Sequence, residues 1–279
     1  MNAVVTRDLI ERYQGVDVLK GINIRIEEGE FYSLMGPNGS GKTTLVSIIA
    51  SVVSPTSGTV EIYDRRPELA KKLIGYVPQD NFSSPMLTGR ENLLYFAELL
   101  GYPKKDLDKI INVIMVKIGL WEDADKKVSK YSGGMKKRLE VATALFPGMR
   151  ILLLDEPTTG LDPSARRNFF GLIQQIKDEW TTILLITHIG VDAEQATRVA
   201  LIDRGEIVAE DTPEKLKKKS GLENVVNIET AIKSDKVSAE LGNFSESRRV
   251  LETEVGYRVY THDAERVTPD IVRSLDGIG

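Results

Sequence analysis

The sequence predicts an α/β fold whose core is a largely parallel sheet flanked by helices. Three short apolar runs, at residues 31–35, 151–154 and 183–187, are bounded by Gly, Pro or charged residues. Such runs are typical of strands buried on both faces, as in a parallel sheet covered by helices. Amphipathic stretches with helix start and stop signals lie between them. The alternation of the two patterns predicts that strands and helices follow one another through this part of the chain.

Two helices are predicted in direct succession. The first begins at a capping box formed by Thr88 and Glu91 and ends at Gly101. The second starts at about Asp106 and carries apolar residues along one face. Because no strand is predicted between them, we interpret the segment at about residues 82–130 as a helical insertion in the α/β core.

The last part of the chain differs in composition from the rest. A lysine-rich run at residues 215–219 ends the α/β pattern and is most simply a solvated face. Beyond it, from Gly221 onward, the chain has seven basic and eleven acidic residues, so this part carries the net negative charge. The predicted domains are therefore residues 1–220 and residues 221–279.

The second domain is predicted to be a small α+β appendage. Stretches at residues 249–254 and 257–261 can pair as a hairpin around Gly256. Thr268 and Pro269 are predicted to open the last helix, with Thr as its cap and Pro in its first turn. The sequence shows no candidate site here, which favours a structural or dimer-packing role.

The composition excludes several classes of function. Lys and Arg number 37 against 41 Asp and Glu, for a net charge of −4, so a broad basic surface for nucleic acid is not expected. The absence of cysteine excludes a disulfide scaffold, a thiolate zinc site and a cysteine nucleophile. The two histidines, His188 and His262, are too few for a His-rich metal cluster.

Membrane insertion is not predicted either. Residues 1–12 lack the apolar core of a secretory signal. The longest apolar runs are far shorter than the roughly 20 residues that a membrane-spanning helix needs. We therefore expect a soluble, intracellular protein.

A phosphate-binding loop is predicted directly after the first apolar run. The pattern G-x-x-x-x-G-K-[ST] is matched by eight residues: Gly36, Pro37, Asn38, Gly39, Ser40, Gly41, Lys42 and Thr43. Thr44 follows them and opens the next predicted helix. Glycines let backbone N–H groups wrap the phosphates of a nucleotide, and the following helix N-terminus favours negative charge. Lys42 supplies a point charge and Thr43 a hydroxyl ligand for Mg²⁺. The alternative is a fortuitous Gly-rich turn, but the flanking strand and helix favour a P-loop NTPase core that binds the phosphates of a nucleotide.

Two carboxylates end the second apolar run. Asp155 and Glu156 follow directly after residues 151–154. In a parallel sheet the carboxyl ends of the strands face the ligand, so both acids are expected beside the phosphate loop. Asp155 is placed to hold Mg²⁺, and Glu156 to orient or deprotonate the attacking water. Two solvated acids at a strand end are the alternative.

A third motif, Tyr131-Ser132-Gly133-Gly134-Met135, precedes a basic helical stretch. Alone it is a turn followed by a helix with Ser as cap. With the other two motifs, in this order, residues 1–220 resemble an ATP-binding-cassette (ABC) ATPase. The resemblance implies an antiparallel N-terminal β region. It also implies that Ser132, Gly133 and Gly134 contact the nucleotide bound to a second copy.

This third motif departs from the usual Leu-Ser-Gly-Gly-Gln signature at its first and last positions, Tyr131 and Met135. In that respect the chain is similar to the branch of the family that serves drug, lipid or polysaccharide exporters. The resemblance therefore points to export rather than import, and it leaves a nucleotide contact by Met135 unsupported.

The resemblance also implies roles for four single residues. Tyr13 matches an aromatic that stacks on adenine, although a surface tyrosine is the alternative. Gln79 matches the glutamine that reaches Mg²⁺, against a plain loop glutamine. Asp162 matches the loop between paired domains and can also cap a helix. His188 matches a histidine that contacts the γ-phosphate, against a purely structural residue. His262 has no such context and is interpreted as a surface residue.

The function implied is that of a Mg-ATP hydrolase that powers an exporter. Lys42, Glu156 and His188 are the candidate catalytic residues, and Thr43, Gln79 and Asp155 the candidate metal ligands. One phosphate loop and one signature per chain imply a dimer that encloses two ATP molecules. A separately encoded membrane-spanning permease would hold it at the inner face of the cell membrane, docked on the helical insertion. Two alternatives are a soluble ABC ATPase that acts on nucleic acid or ribosomes and a nucleotide-gated module without turnover.

Overall fold

The computed structural model describes residues 1–177, 181–219, 224–230, 233–245, 247–261 and 264–276. Its internal contacts divide the chain into two compact units, Met1–Pro213 and Glu214–Gly279. Each unit is described by itself below. His262, interpreted above as a surface residue, lies outside the described residues.

The first unit combines ten strands with seven helices in the part of the chain that the structure describes. The strands are β1 (Asn2–Tyr13), β2 (Val16–Ile22), β3 (Arg25–Glu27), β4 (Phe31–Met35), β5 (Ser57–Ile62), β6 (Ile74–Val77), β7 (Ile151–Asp155), β8 (Thr182–Thr187), β9 (Arg198–Asp203) and β10 (Glu206–Asp211). The helices are α1 (Lys42–Ile49), α2 (Pro67–Ala70), α3 (Gly89–Leu99), α4 (Lys104–Lys117), α5 (Gly133–Ala142), α6 (Pro163–Lys177) and α7 (Gly190–Ala193).

The strands form two sheets. Strands β2, β3 and β5 each pair antiparallel with β1. The second sheet has the order β10-β9-β4-β8-β7-β6. Its five strands from β9 to β6 are parallel, and β10 adds an antiparallel edge. The predicted α/β fold is confirmed, with its parallel sheet, antiparallel N-terminal region and helical insertion.

One apolar core joins the two sheets around α1. Leu45, Val46, Ile48 and Ile49 of α1 are buried together with side chains from both sheets. Burial of each such side chain contributes about 1.5–3 kcal/mol. The core therefore fixes α1, and with it the loop that precedes it, against the carboxyl ends of the parallel strands.

The helical insertion consists of α3 and α4, as the sequence predicted. The Thr88 hydroxyl accepts a hydrogen bond from the main-chain N–H of Glu91, and the Glu91 carboxylate accepts one from the N–H of Thr88. The predicted capping box is thus present. Helix α4 begins at Lys104, two residues before the predicted start. None of the helices in the described ranges is both long enough and apolar enough to cross a bilayer.

The second unit is a three-stranded antiparallel sheet with helices. After α8 (Pro213–Lys219), it comprises β11 (Asn224–Glu229), α9 (Asp235–Gly242), β12 (Val250–Thr253), β13 (Gly256–Thr261) and α10 (Ala264–Asp276). The sheet order is β11-β13-β12, and the predicted hairpin of β12 and β13 is present. Its core contains Val237, Leu241, Tyr257, Val259 and Ile271.

The predicted start of the last helix was wrong. Helix α10 begins at Ala264, so that Pro269 lies inside it rather than in a first turn opened by Thr268. The Thr268 hydroxyl donates instead to the main-chain oxygen of Ala264. The earlier start brings Val267 onto the same face as Ile271, and both pack against the core of the unit. Burial of this apolar face outweighs the preference of proline for a first turn.

Candidate nucleotide-binding site

The phosphate loop connects β4 to α1 and is held by close backbone packing. At Gly36, a Cβ atom would lie 2.1 Å from the main-chain oxygen of Ile202 in β9, so only glycine fits there. The Lys42 Nζ donates to the main-chain oxygens of Gly36 and Pro37, both at 2.9 Å. The lysine therefore folds back over its own loop, which places its charge at the centre of the predicted phosphate site.

Burial and nearby acids have opposite effects on the pKa of Lys42. The side chain is almost fully buried, and this burial lowers the pKa of Lys42. Glu156 and Asp155 act in the opposite direction. An anionic phosphate in the loop would add to the charges that favour the ammonium form.

Asp155 ends β7 with a buried carboxylate. The residue is 1% exposed, and its Oδ1 has no hydrogen-bond partner among the described residues. Burial raises the pKa of Asp155, and Glu156 adds to this, while the hydroxyls of Thr43 and Tyr76 lower it. Burial, together with Asp155, raises the pKa of Tyr76 to about 12. The tyrosine thus stays a neutral hydrogen-bonding group beside the acid.

The arrangement at Asp155 fits a magnesium ion. An orphaned buried carboxylate oxygen and the Thr43 hydroxyl are hard oxygen donors of the kind that Mg²⁺ prefers. No cluster of three His, Asp or Glu side chains suited to a metal occurs among the described residues. Mg²⁺ generally keeps several phosphate and water ligands and needs only one or two carboxylates from the protein.

Glu156 occupies a strained backbone position next to His188. Its φ angle is 47°, in the left-handed region that disfavours side chains with a Cβ. Its Oε1 lies 3.0 Å from Nδ1 of His188, and the Thr159 hydroxyl is 3.5 Å from Oε2. Strained residues concentrate at functional sites. The strain therefore supports a role for Glu156 beyond a solvated acid at a strand end.

A cleft of about 280 Å³ brings eight of the predicted site residues together. It is lined by Val18, Asn38, Gly39, Gly41, Lys42, Thr43, Thr44, Gln79 and Glu156. Among the described residues it thus joins the phosphate loop, one carboxylate and Gln79. Val18, on β2, was missed because a single valine in a strand carries no sequence signal of a site.

Other predicted residues do not line this cleft. Tyr13 lies at the end of β1 and is 45% exposed, paired with Val16 across the hairpin. Ser132 and Gly133 are exposed at the start of α5. Asp162 caps α6, because its Oδ1 accepts from the N–H groups of the second and third residues after it, both at 2.9 Å. The structural half of the Asp162 prediction is confirmed.

Tyr131 of the signature is a packing residue. The side chain is buried, and its hydroxyl donates to the main-chain oxygen of Asp123 at 2.7 Å. The ring reaches the start of α3, where a Cβ at Gly89 would lie 2.3 Å from the Tyr131 hydroxyl oxygen. Burial raises the pKa of Tyr131. The tyrosine therefore connects the signature to the helical insertion, a role that the sequence did not indicate.

The sequence also did not predict a cluster of polar side chains around the buried Asp192, close to His188. Asp192 on α7 is fully buried and accepts a hydrogen bond from the Thr158 hydroxyl. Its Oδ1 lies 3.5 Å from Nε of Arg166 on α6. Burial raises the pKa of Asp192, which Thr158 and Arg166 oppose. The cluster joins the loop after Glu156 to the two following helices, and no local sequence pattern marks residues so far apart.

Comparisons with known proteins find similar sequences and structures. The profile of the ABC transporter family matches residues 19–159. The daunorubicin/doxorubicin resistance ATP-binding protein DrrA of Streptomyces peucetius is 31% identical, and the match covers 92% of this chain and 77% of that protein. The Nod factor export ATP-binding protein I of Burkholderia thailandensis is 36% identical, over 74% of this chain and 69% of that protein.

Solved structures show the same fold. CbiO1 from Clostridium perfringens, part of the ABC transporter complex cbiONQ, superposes with a TM-score of 0.72 at 26% identity, covering 78% of this chain and 92% of that one. The ATP-binding cassette MJ0796, in a dimeric post-hydrolysis state bound to ADP and Pi, superposes with a TM-score of 0.67 at 29% identity. That match covers 75% of this chain and 98% of the cassette.

Proposed function

This chain belongs to the ABC transporter family, and from that premise we propose that it is the ATP-binding and ATP-hydrolysing subunit of an exporter. The relatives named for drug resistance and Nod factor export support the direction of transport. The observation that carries the proposal is the cleft that joins the phosphate loop, Gln79 and Glu156 in one site.

ATP is proposed to bind with its phosphates in the loop at residues 36–43. Backbone N–H groups at the start of α1 and the buried ammonium of Lys42 would neutralise phosphate charge. Thr43, Gln79 and Asp155 would hold Mg²⁺, which supplies further neutralisation of the phosphates when it is bound. Tyr13, exposed at the end of β1, is proposed to stack on the adenine.

Glu156 is proposed to accept the proton of the attacking water. The water oxygen forms a bond to the γ-phosphorus, the bond from that phosphorus to the bridging oxygen breaks, and ADP and phosphate leave. His188 would orient the carboxylate, since its Nδ1 lies 3.0 Å from Oε1 of Glu156. That hydrogen bond requires the proton on Nδ1, which fixes the tautomer of the ring.

A second copy of the chain is proposed to complete each site. Ser132 and Gly133 are exposed at the N-terminus of α5 and do not line the cleft of their own chain. A helix N-terminus is suited to bind a phosphate. Two chains would therefore enclose two ATP molecules, with Ser132, Gly133, Gly134 and Asp162 of each facing the other. Hydrolysis would remove the bridging γ-phosphate and open the dimer.

The helical insertion at residues 82–130 is proposed to dock on a separately encoded membrane-spanning permease, at the inner face of the cell membrane. Large apolar side chains are exposed there, including Met86 at 70% and Leu99 at 65%. We propose residues 1–220 as the cassette and residues 221–279 as an accessory domain. No nucleic-acid partner is expected, because the chain has a net charge of −4.

The catalytic half of the proposal is tested by Glu156→Gln. We expect turnover to fall by about 10²–10⁴-fold, because a general base is removed while the shape is kept. ATP binding should persist, and light scattering during size-exclusion chromatography should detect an ATP-dependent dimer. Glu206→Gln, at an exposed position on β10, is the matched control and should behave as wild type. Unchanged turnover in Glu156→Gln would remove Glu156 from the role of base.

The transport half is tested by co-purification. The tagged chain, extracted in mild detergent from membranes of its native cell, should bring down a multi-span protein in stoichiometric amount. Recovery of ribosomes or nucleic acid, with no membrane protein, would refute the exporter role and favour a soluble ATPase. Intact nucleotide binding without turnover would instead favour a nucleotide-gated module.

A further inference from the structure

A buried ion pair lies on the signature helix, away from the groups that would touch ATP. Lys137 and Glu140 are one turn apart on α5, with Nζ 3.0 Å from Oε2. Their side chains are only 7% and 0% exposed. Neither residue lines the nucleotide cleft. The mechanism proposed above therefore gives this pair no role.

The lysine of the pair contacts the segment that follows β6. The Lys137 Nζ donates to the main-chain oxygen of Gln79 at 3.2 Å. Burial raises the pKa of Glu140, whereas Lys137 and the main-chain N–H of Phe82 lower it. The lysine thus contacts the start of the segment at residues 79–82, and the glutamate holds the lysine through the ion pair.

A buried ion pair is not an efficient way to stabilise a helix. The cost of removing two charges from water usually cancels their attraction, and apolar residues of similar size do as well. What a buried pair can supply is a fixed geometry, because each charge must keep its partner. The pair is formed within α5, where Glu140 holds the Lys137 ammonium, and that ammonium reaches the Gln79 oxygen only while the segment and the helix keep their present arrangement.

The segment at residues 79–82 and helix α5 face different nucleotides in the proposed dimer. Gln79 lines the nucleotide cleft of its own chain. Ser132, at the start of α5, precedes Lys137 by five residues, or about 7.5 Å of helix. The segment that meets one nucleotide and the helix whose N-terminus is offered to the other are thus connected through the hydrogen bond from Lys137 to Gln79, and Glu140 holds that lysine.

We propose that Lys137 and Glu140 are positioning residues that make the segment at residues 79–82 and helix α5 move as one unit. Nucleotide bound beside Gln79 then sets the position of the signature that is presented to the second copy. This inference rests on the proposed ATP-bound dimer. It adds a specific connection between the two ends of the site, within one chain.

The test uses a double variant, Lys137→Met with Glu140→Gln, in the full-length chain. A single neutral substitution would leave one buried charge without its partner, whereas the double substitution removes both. In the Glu156→Gln background we expect ATP-dependent dimerisation to weaken at least 10-fold. Binding of a fluorescent ATP analogue to the monomer should stay within about 2-fold. In the chain that retains Glu156, kcat should fall about 10-fold with little change in KM.

The matched control is Lys126→Met with Asp123→Asn. That pair has the same i,i+3 spacing, but its lysine is exposed, at 61%, and its aspartate is only half-buried, at 29%. It should leave dimerisation and kcat as in the parent. If the main double variant does not fold, Glu140→Asp replaces it, because this substitution keeps both charges and shortens one side chain. We then expect ATP-dependent dimerisation to weaken by less than 10-fold. Dimerisation equal to the parent in either folded variant would overturn the proposal.

Hydrogen exchange separates this inference from the proposed dimer. In monomeric wild-type chain, addition of the ATP analogue should increase protection both at residues 79–82 and at the start of α5. In the double variant only the first segment should respond. If the Glu156→Gln parent never dimerises, the proposed dimer fails, yet this exchange pattern still decides the role of the pair. Equal responses of α5 in both chains would refute it.

Discussion

Helices α1 and α5 both begin at a predicted phosphate contact, but their N-termini are built differently. Helix α1 follows Gly41, which is in the left-handed conformation and offers no side-chain cap. Helix α5 follows Ser132, whose hydroxyl accepts a hydrogen bond from the N–H of Met135 at 3.3 Å. The first helix therefore leaves its N–H groups to a ligand, whereas the second satisfies one of its own.

The two N-termini also differ in the burial of the residues around them. Around α1 the charged groups Lys42, Asp155 and Glu156 are buried. At α5, Ser132 and Gly133 are exposed. A loop that binds phosphates within its own chain needs charges in place before the ligand arrives, whereas a surface that meets a second chain must be stable by itself. The following three predictions test this difference, beginning with the largest effect.

Lys42→Ala should weaken nucleotide binding to the monomer by roughly 10- to 100-fold. Hydrogen bonds to charged groups contribute about 1.5–3 kcal/mol, and one such contact is lost. Isothermal titration calorimetry with ATP measures the change. Lys104→Ala, at a side chain that is 88% exposed, is the control and should bind as wild type. Wild-type affinity in Lys42→Ala would refute the placement of the phosphate loop.

Ser132→Ala should leave nucleotide binding to the monomer unchanged and weaken ATP-dependent dimerisation roughly 10-fold, about 1.4 kcal/mol. The capping bond is also lost, which costs about 1 kcal/mol of stability. Ser234→Ala is a close control, because Ser234 caps α9 with the same 3.3 Å bond in the second unit. It should lower stability without changing dimerisation, as measured by light scattering. Equal dimerisation in the two variants would contradict a role for Ser132 between chains.

Asp155→Asn should raise the Tm of the nucleotide-free chain by a few degrees near pH 8, where 1 kcal/mol corresponds to about 2–4 °C for a domain of this size. Burial raises the pKa of Asp155, so its contribution to stability is full below the ordinary carboxyl pKa and is lost as the pH rises through the raised value. The gain in Tm should therefore shrink as the pH falls towards 4.

Calorimetric scans of wild type and variant at both pH values measure this gain, and ATP hydrolysis should be lost in the variant. Asp108→Asn, at an exposed position on α4, should show no pH-dependent gain. A gain of equal size at pH 4 and pH 8 would show that charge at Asp155 is not its cause.

Contiguous motifs were the part of the site that the sequence could predict. The loop at residues 36–43 and the pair Asp155 and Glu156 are continuous in the chain, and their chemistry follows from residue type and from the neighbouring strand and helix. The capping box at Thr88 was predictable for the same reason. In each case the interacting groups are separated by a few residues, so that local pattern and local geometry coincide.

Contacts between distant residues could not be predicted in this way. Asp192 meets Thr158, 34 residues before it. Lys137 reaches Gln79, 58 residues before it, and Lys137 had appeared only as part of a basic stretch. The start of α10 was misplaced because the proline rule considers one turn of helix, whereas burial of Val267 depends on the sheet against which it packs.

The backbone at Glu156 has a consequence for how this chain can evolve. A φ of 47° suits glycine better than any residue with a Cβ, so selection for stability alone would replace the glutamate. Glu156→Gly should unfold at a higher temperature than Glu156→Ala, although both lack the carboxylate; equal values would show that the backbone there is unstrained. A substitution by glycine that relieves this backbone would therefore also remove the proposed general base.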